Sequence, residues 1–323
     1  MKKSIILFLL TFIATTTIYA QEATATLNHN NTLTTYYGVD ALKSACANAQ
    51  NGDVITLSHG QFNGPLINVN ELTIIGNAMD ADTTRGIMPT IILGQTKINT
   101  ETTSFKNLCL KELYTYHNTS SATNRRNINF ERCRIKSHTF TTSATTSFLL
   151  YNCIAKLGLI NEIHAINSLV DLAASSCKFC KEGIYDNCVL YLRNYCYIIN
   201  STLTDCIVID YNVNNHAFDS NVYLANTLYV GAETEPFINC FVGKAWQTGA
   251  DTKIFKDDSQ YYELTDEIKE KYKDTDDKEL GIYGGAHTFS PNPITHHITR
   301  CDVAPKTTPD GKLSVHIWVS GAE

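Results

Sequence analysis

The run Val39 to Gly64, VDALKSACANAQNGDVITLSHGQFNG, decides how this chain starts to fold. Ala41, Leu42, Ala45, Cys46 and Ala49 recur at helical spacing, which predicts a short helix with one small apolar face. Asn51-Gly52-Asp53 then offers a tight turn. Val54, Ile55 and Leu57 form a short β run, closed by a second turn at His59-Gly60.

Outward from this opening, the centre of the chain repeats imperfectly. Cys133 to Cys153 is 20 residues, Asn167 to Asn187 is 20, Cys177 to Cys196 is 19 and Cys188 to Cys206 is 18. A period in this range marks a solenoid, in which each unit buries its apolar face only by stacking on its neighbours. The runs between the polar punctuation are short and apolar, as in Ser147–Tyr151, Val189–Leu192, Ile207–Ile209 and Val222–Leu224. Long amphipathic helical patterns are missing between them, which disfavours alternating strands and helices. Asn152, Asn187, Asn226 and Asn239, with Asp205 in an equivalent place, are expected at sharp corners. Asn tolerates the left-handed backbone such corners require, and stacked corner amides can bond from coil to coil. Both ends of a strand stack expose unpaired edges, and the helix over Val39 to Ala49 is placed to cover the first.

The opening resembles that of right-handed parallel β-helix proteins of the pectate-lyase-like superfamily, secreted bacterial type. There a pattern of small residues followed by GDxIxLxxGxY marks a capping helix and the first strand. Gly52, Asp53, Ile55, Leu57, Gly60 and Phe62 fill it here. Leu280-Gly281-Ile282-Tyr283-Gly284-Gly285 is similar to a segment that often closes such domains, with Glu279 and Leu280 in place of the usual Asp and Ile. The resemblance implies an all-β fold: a single right-handed parallel β-helix over residues 39–289, with an N-terminal capping helix. It says little about activity, because this fold carries lyases, hydrolases, adhesins and proteins without known chemistry.

The ends give a location. Lys2 and Lys3, the apolar run Ile5 to Ile13 and Ile18-Tyr19-Ala20 read as a signal peptide over residues 1–20, cleaved before Gln21. The apolar core falls short of the roughly 20 residues a spanning helix needs, so the expectation is a secreted, periplasmic or cell-surface protein with no membrane span after signal removal. Residues 21–38, rich in Thr and Asn, read as a flexible lead-in. Leu264 to Lys273 reads as a short charged helix with Glu267 and Lys271 at i,i+4. Residues 290–323 form a Pro-punctuated linker and a strand tail, in which Leu313, Val315, Ile317 and Val319 alternate with polar residues.

The chain carries a formal net charge of −6, and removing Lys2 and Lys3 takes it to −8. That balance argues against nonspecific nucleic-acid binding, which relies on dense Lys and Arg. Eleven cysteines in an exported chain first suggest disulfides. Most lie in or beside apolar runs, where free cysteine acts as a small hydrophobe. Cys177-Lys178-Phe179-Cys180 has the spacing of a metal or redox pair, but no second pair accompanies it.

The candidate site is basic. In Cys133-Arg134-Ile135-Lys136 the apolar and basic residues alternate, so Arg134 and Lys136 should face outward, and Lys156 lies one period further on. Arg134, Lys136 and Lys156 form a candidate substrate-binding strip for an acidic polymer. No catalytic residue, cofactor or metal ligand is assigned. Arg134-Ile135-Lys136 echoes the Arg-x-Lys element of polygalacturonase-like hydrolases, without their upstream paired Asp residues and Gly-His-Gly element. The Arg-x-Pro-x-x-Arg element and clustered calcium-binding Asp residues of pectate lyases are missing too, as is a legible chondroitinase- or alginate-lyase-like constellation. The many Tyr residues, and Trp246 and Trp318, suit sugar faces, though most Tyr sit in strand runs and read as packing or wall positions. The leading expectation is a non-catalytic protein binding polysaccharide or a cell-surface component. The alternative is a polysaccharide lyase, with calcium as its cofactor, or a glycoside hydrolase. Produced in a secretion-competent bacterial host, the exported protein should begin at Gln21. Intact-mass measurement of the extracytoplasmic fraction reads this directly, and a cytoplasmic full-length chain would remove the export assignment.

Overall fold

The computed structural model describes residues 22–115, 126–140, 146–158, 162–173, 182–193, 196–211, 217–238, 240–257, 261–291, 297–303 and 315–320. The signal segment, Cys177, Cys180, Asn239 and the Asp310-Gly311 turn lie outside them. Twenty-two strands form one continuous sheet wound around an axis as a solenoid, and two further strands, His297–Val303 and Val315–Ser320, form a separate antiparallel hairpin. Successive windings pair in parallel and in register. On a first face one column runs Leu149, His164, Ile184, Thr202, Tyr223 and Phe241. On a second face one column runs Arg134, Ile154, Leu169, Val189, Ile207, Leu228 and Trp246. A shorter third face is built from Leu66–Ile67, the later parts of Thr90–Ile98 and Thr102–Thr115, and His138–Phe140.

The corner between the first and second faces repeats through Asn107, Arg132, Asn152, Asn167, Asn187, Asp205 and Asn226, all at positive φ between 45° and 54°. Asn and Asp tolerate that region better than other L-residues, which is why they recur at the period seen in the sequence. Of the amide ladder expected along this corner, one rung bonds from coil to coil: Asn226 Nδ2 donates to Asp205 Oδ1 at 3.1 Å. A second corner adds Asn221 Nδ2 donating to Asn200 Oδ1 at 3.0 Å.

The residue after each corner turns inward and is buried. It is Leu108 after the first corner, and from Arg132 on it is small: Cys133, Cys153, Ser168, Cys188, Cys206 and Thr227. Their side chains donate to main-chain carbonyls that the corner leaves over. Cys206 Sγ reaches Tyr185 O at 3.2 Å and Thr204 O at 3.1 Å, and Cys188 Sγ reaches Ala165 O and Asp186 O at 3.3 and 3.2 Å. Thr227 Oγ1 makes the equivalent bonds to Leu203 O and Ala225 O. These thiols are free, and they serve as inward-facing donors as well as small hydrophobes. Burial pushes the Cys153 thiol up to about 12. Further inside, Phe105 stacks on Phe130 with centroids 5.3 Å apart, and Phe148 meets Phe130 edge-on at 5.4 Å. Gly183 makes room for Tyr185, since a Cβ there would lie 2.2 Å from the ring.

At the N-terminal end, helix α1 (Ala41–Asn48) buries Ala41, Leu42, Ala45 and Cys46. The flexible lead-in expected over residues 21–38 is instead a β-hairpin. Thr24–His29 pairs antiparallel with Thr32–Tyr37 across Asn30-Asn31, both at positive φ, and also pairs antiparallel with the first-face strand Val54–Leu57. Composition misled here: Ala25 and Leu27 alternate with Thr, and both are buried, so a period-2 pattern outweighs low hydrophobicity.

Residues 251–257 and 261–289 turn back and run along the second face as a strap. The charged helix expected there is α2 (Asp266–Lys271), capped by Thr265, whose Oγ1 accepts from Ile268 N. Ile254, Leu264, Ile268, Tyr272, Leu280, Ile282 and Phe289 pack on Ile154, Leu169, Val189, Ile207 and Leu228 as a second apolar cluster. The Leu280–Gly285 segment thus lies along the side of the solenoid. Gly281, at φ +73°, sits where a Cβ would be 3.0 Å from Val189 Cγ2. The corner residues hold the strap: Thr275 donates through N and Oγ1 to Asp205 Oδ1 at 2.9 and 3.0 Å, and Asn167 Nδ2 donates to Ile282 O and Gly284 O at 3.2 and 3.0 Å. The two faces therefore respond oppositely to one substitution. Ile207→Asp puts an unpaired carboxylate beneath the strap and should cost about 3 kcal/mol or more, whereas Ile184→Asp on the open first face should cost about 1 kcal/mol or less. Urea unfolding midpoints compare them.

Candidate functional site

The outer face of the first sheet carries the chain's exposed apolar column. Leu149, Ile184, Tyr223 and Phe241 are 39%, 48%, 46% and 66% exposed. They share one column because the side chains of a strand alternate and parallel register carries each position to the next winding. One flanking column is polar, with Ser147, Glu162 and Glu182 as register partners, and the other is mixed, with Tyr151, Ile166 and Asp186. Ser147, Glu162, His164, Glu182, Ile184, Asn200 and Thr202 line a cleft of about 640 Å³. His164 Nε2 lies 3.9 Å from Asp186 Oδ2, within ion-pair range only when the imidazole is protonated.

The basic strip expected from Arg134, Lys136 and Lys156 divides. Arg134 heads the second-face column and is held by Asp80, with Nε donating to Oδ1 at 2.8 Å and Nη2 to Oδ2 at 2.5 Å. Burial works against the Arg134 charge, and the two Asp80 contacts outweigh it, leaving its pKa above the usual value. This guanidinium is therefore committed to the fold, where it ties the loop carrying Met79 to the second apolar cluster. Lys136 and Lys156 are exposed on adjacent windings, one column over. Lys156 sits in register beside Asp171, which accepts from Arg193 Nε at 2.9 Å. The two lysines thus adjoin an acid and lie away from the first-face cleft. Trp246, a sugar-stacking candidate in the sequence, packs edge-on against Tyr272 at 5.5 Å under the strap.

Two further clefts lie away from the first face. A cleft of about 360 Å³ between second face and strap is lined by Tyr191, Tyr211, Lys253 and Phe255, and the Arg193 guanidinium already lies 4.7 Å over the Tyr211 ring. A cleft of about 750 Å³ runs between α1 and the third face, beside Lys43 and Lys97, and Lys43 is ion-paired to Asp40 at 3.0 Å. Among the described residues no group of three or more His, Cys, Asp or Glu could hold a metal ion, and no helix is long and apolar enough to cross a membrane.

Sequence reasoning missed the first-face column because its members are hidden inside short apolar runs. Phe148-Leu149-Leu150 and Val222-Tyr223-Leu224 look uniformly buried until register shows that the middle residue faces out. The one clean signal was Glu162-Ile163-His164-Ala165, whose alternation marks a strand with a polar outer side. Compared with known protein families, curated proteins and solved structures, the chain matches none.

The Asp80–Arg134 pair gives a direct check. Arg134→Gln strands a partly buried carboxylate and should lower stability by about 1–3 kcal/mol, while Lys136→Gln and Lys156→Gln should stay within about 0.5 kcal/mol. Urea denaturation of the three variants measures this, and an Arg134→Gln variant as stable as wild type would release Arg134 for a surface role.

Proposed function

We propose that this chain is an exported, non-catalytic parallel β-helix protein of the right-handed, pectate-lyase-like kind, and that it binds polysaccharide along its first face. In this reading α1 and the N-terminal hairpin cap the first winding, and the strap shields the second face. The observation that carries it is the contrast between the two outer faces. Both carry apolar side chains in one column, the first-face column alternating with His164 and Thr202; the chain covers the second face with its own residues 251–257 and 261–289, and the first lies open beside a polar cleft. An open row of aliphatic and aromatic side chains flanked by Ser, Asn, Thr, His and carboxylates suits a sugar chain, which offers apolar ring faces and hydroxyl edges together. The windings repeat at about 4.8 Å, so an extended polymer running along the face would meet apolar side chains at Leu149, Ile184, Tyr223 and Phe241 with His164 and Thr202 between them. This reading moves the expected binding surface from Arg134, Lys136 and Lys156 to the first face.

A second reading rests on one observation. Glu162 and Glu182 are register partners on adjacent strands, and a strand spacing of about 4.8 Å approaches the ~5–5.5 Å between the carboxyls of a retaining glycosidase. On that reading the same cleft cleaves the chain it binds.

Affinity electrophoresis against neutral, acidic and basic polysaccharides tests the primary reading. At least one polymer should retard the protein, and Tyr223→Ala with Phe241→Ala should weaken that binding by about tenfold, from ~0.5–1.5 kcal/mol per aromatic contact. Lys136→Gln with Lys156→Gln should leave it unchanged. Failure of every polymer, or indifference to the first-face substitutions, would overturn it. New reducing ends lost in Glu182→Gln would establish the hydrolase instead, and ultraviolet-absorbing unsaturated products a lyase.

A further inference from the structure

We infer that the first face takes a chain carrying positive charge, a polymer of amino sugars with free ammonium groups, and that Glu182 and Asp186 select for it. The inference rests on the polysaccharide reading and names the chemistry of its ligand. It reverses the acidic polymer suggested by the basic residues in the sequence.

The argument is charge complementarity on an open face. From the strand Thr146–Tyr151 to the strand Cys240–Val242, the outward positions of the described first-face strands hold Glu162, Glu182, Asp186 and His164, and no Lys or Arg. Glu162 has a further contact of its own, so the charge argument rests on Glu182 and Asp186. Glu182 is exposed, lines the cleft and lies two residues from exposed Ile184 on the same side of its strand. A sugar ring seated on Ile184 would therefore have a carboxylate at its edge and the Asn200 and Thr202 side chains within the same cleft. Asp186 lies on the other flank of Ile184, so a ring stacked on Ile184 is bracketed by two acids. A polyuronate chain would bring its own carboxylates against these two groups with no Lys or Arg on the described strands of this face to receive them, and His164, when protonated, already faces Asp186 at 3.9 Å. The cations the sequence offered are elsewhere: Arg134 is closed on Asp80, and Lys136 and Lys156 stand on the second face.

Calorimetric titration of the full chain with three oligosaccharides of equal length is the test: β-linked glucosamine, its N-acetylated counterpart and oligogalacturonate, with oligolysine of matching charge alongside. The glucosamine chain, at a pH where its amines are protonated, should bind at least tenfold tighter than the N-acetylated chain, and added salt should shrink that margin. Glu182→Gln with Asp186→Asn should abolish the margin, so that the two glucosamine chains bind alike, and Tyr223→Ala should weaken both sugars while preserving the margin. Both acids are surface residues, and an unchanged melting curve confirms that the variant is folded. Equal binding of the two glucosamine chains, or preference for oligogalacturonate, would overturn the charge inference and leave the polysaccharide reading standing. Binding of no sugar would overturn both. Oligolysine binding as tightly as the glucosamine chain would overturn the amino-sugar assignment in favour of a basic peptide.

Discussion

The structure depends on one backbone constraint, the left-handed corner between the first and second faces. A single residue at positive φ turns the chain sharply between two strands, and Asn or Asp accepts that conformation at least cost. Because the corner recurs at Asn152, Asn167, Asn187, Asp205 and Asn226, every winding leaves it in the same register. Register then decides which side chains are inside. The residue after each of these corners is inward and small, and thiol or hydroxyl serves there because each can donate to the carbonyl two residues back and to one in the winding below. The cysteine content of this chain is thus a consequence of corner geometry.

The same corner residues also organise the exterior. Asp205 accepts from Thr275, and Asn167 donates to Ile282 and Gly284, so the positions that turn the chain also fasten the strap over the second face. Burial pushes the Asp205 carboxyl above its usual range despite those hydrogen bonds, a cost accepted where fold and strap meet. Each apolar side chain the strap removes from water contributes roughly 1.5–3 kcal/mol, which explains how a segment with only a short helix stays in place. The first face has no such cover among the described residues, and the proposed function follows from that difference.

Much of the fold was legible in local patterns. The period near twenty residues, the Asn and Asp punctuation and the short apolar runs all report on single windings, and helix α1 was visible in the spacing of Ala41, Leu42, Ala45 and Cys46. The N-terminal hairpin was less legible, since Thr-rich composition hid the alternation of Ala25 and Leu27. The candidate site was the least legible part. Arg134 and Lys136 alternate with apolar neighbours as outward residues should, but alternation says nothing about what lies opposite. Asp80, 54 residues away in sequence, claims Arg134 through a loop that no local pattern connects to it.

The sequence by itself determined that this chain winds into a β-solenoid and where it turns, because these follow from a period near twenty residues and from the φ preferences of single corner residues. Only the tertiary structure decided which outward face stays open. Both faces carry outward apolar side chains, interrupted by His164 and Thr202 on the first and continuous from Ile154 to Trp246 on the second, and the second is closed by residues 251–257 and 261–289 returning over it, a long-range contact whose energy lies in surfaces that meet only after the solenoid has formed.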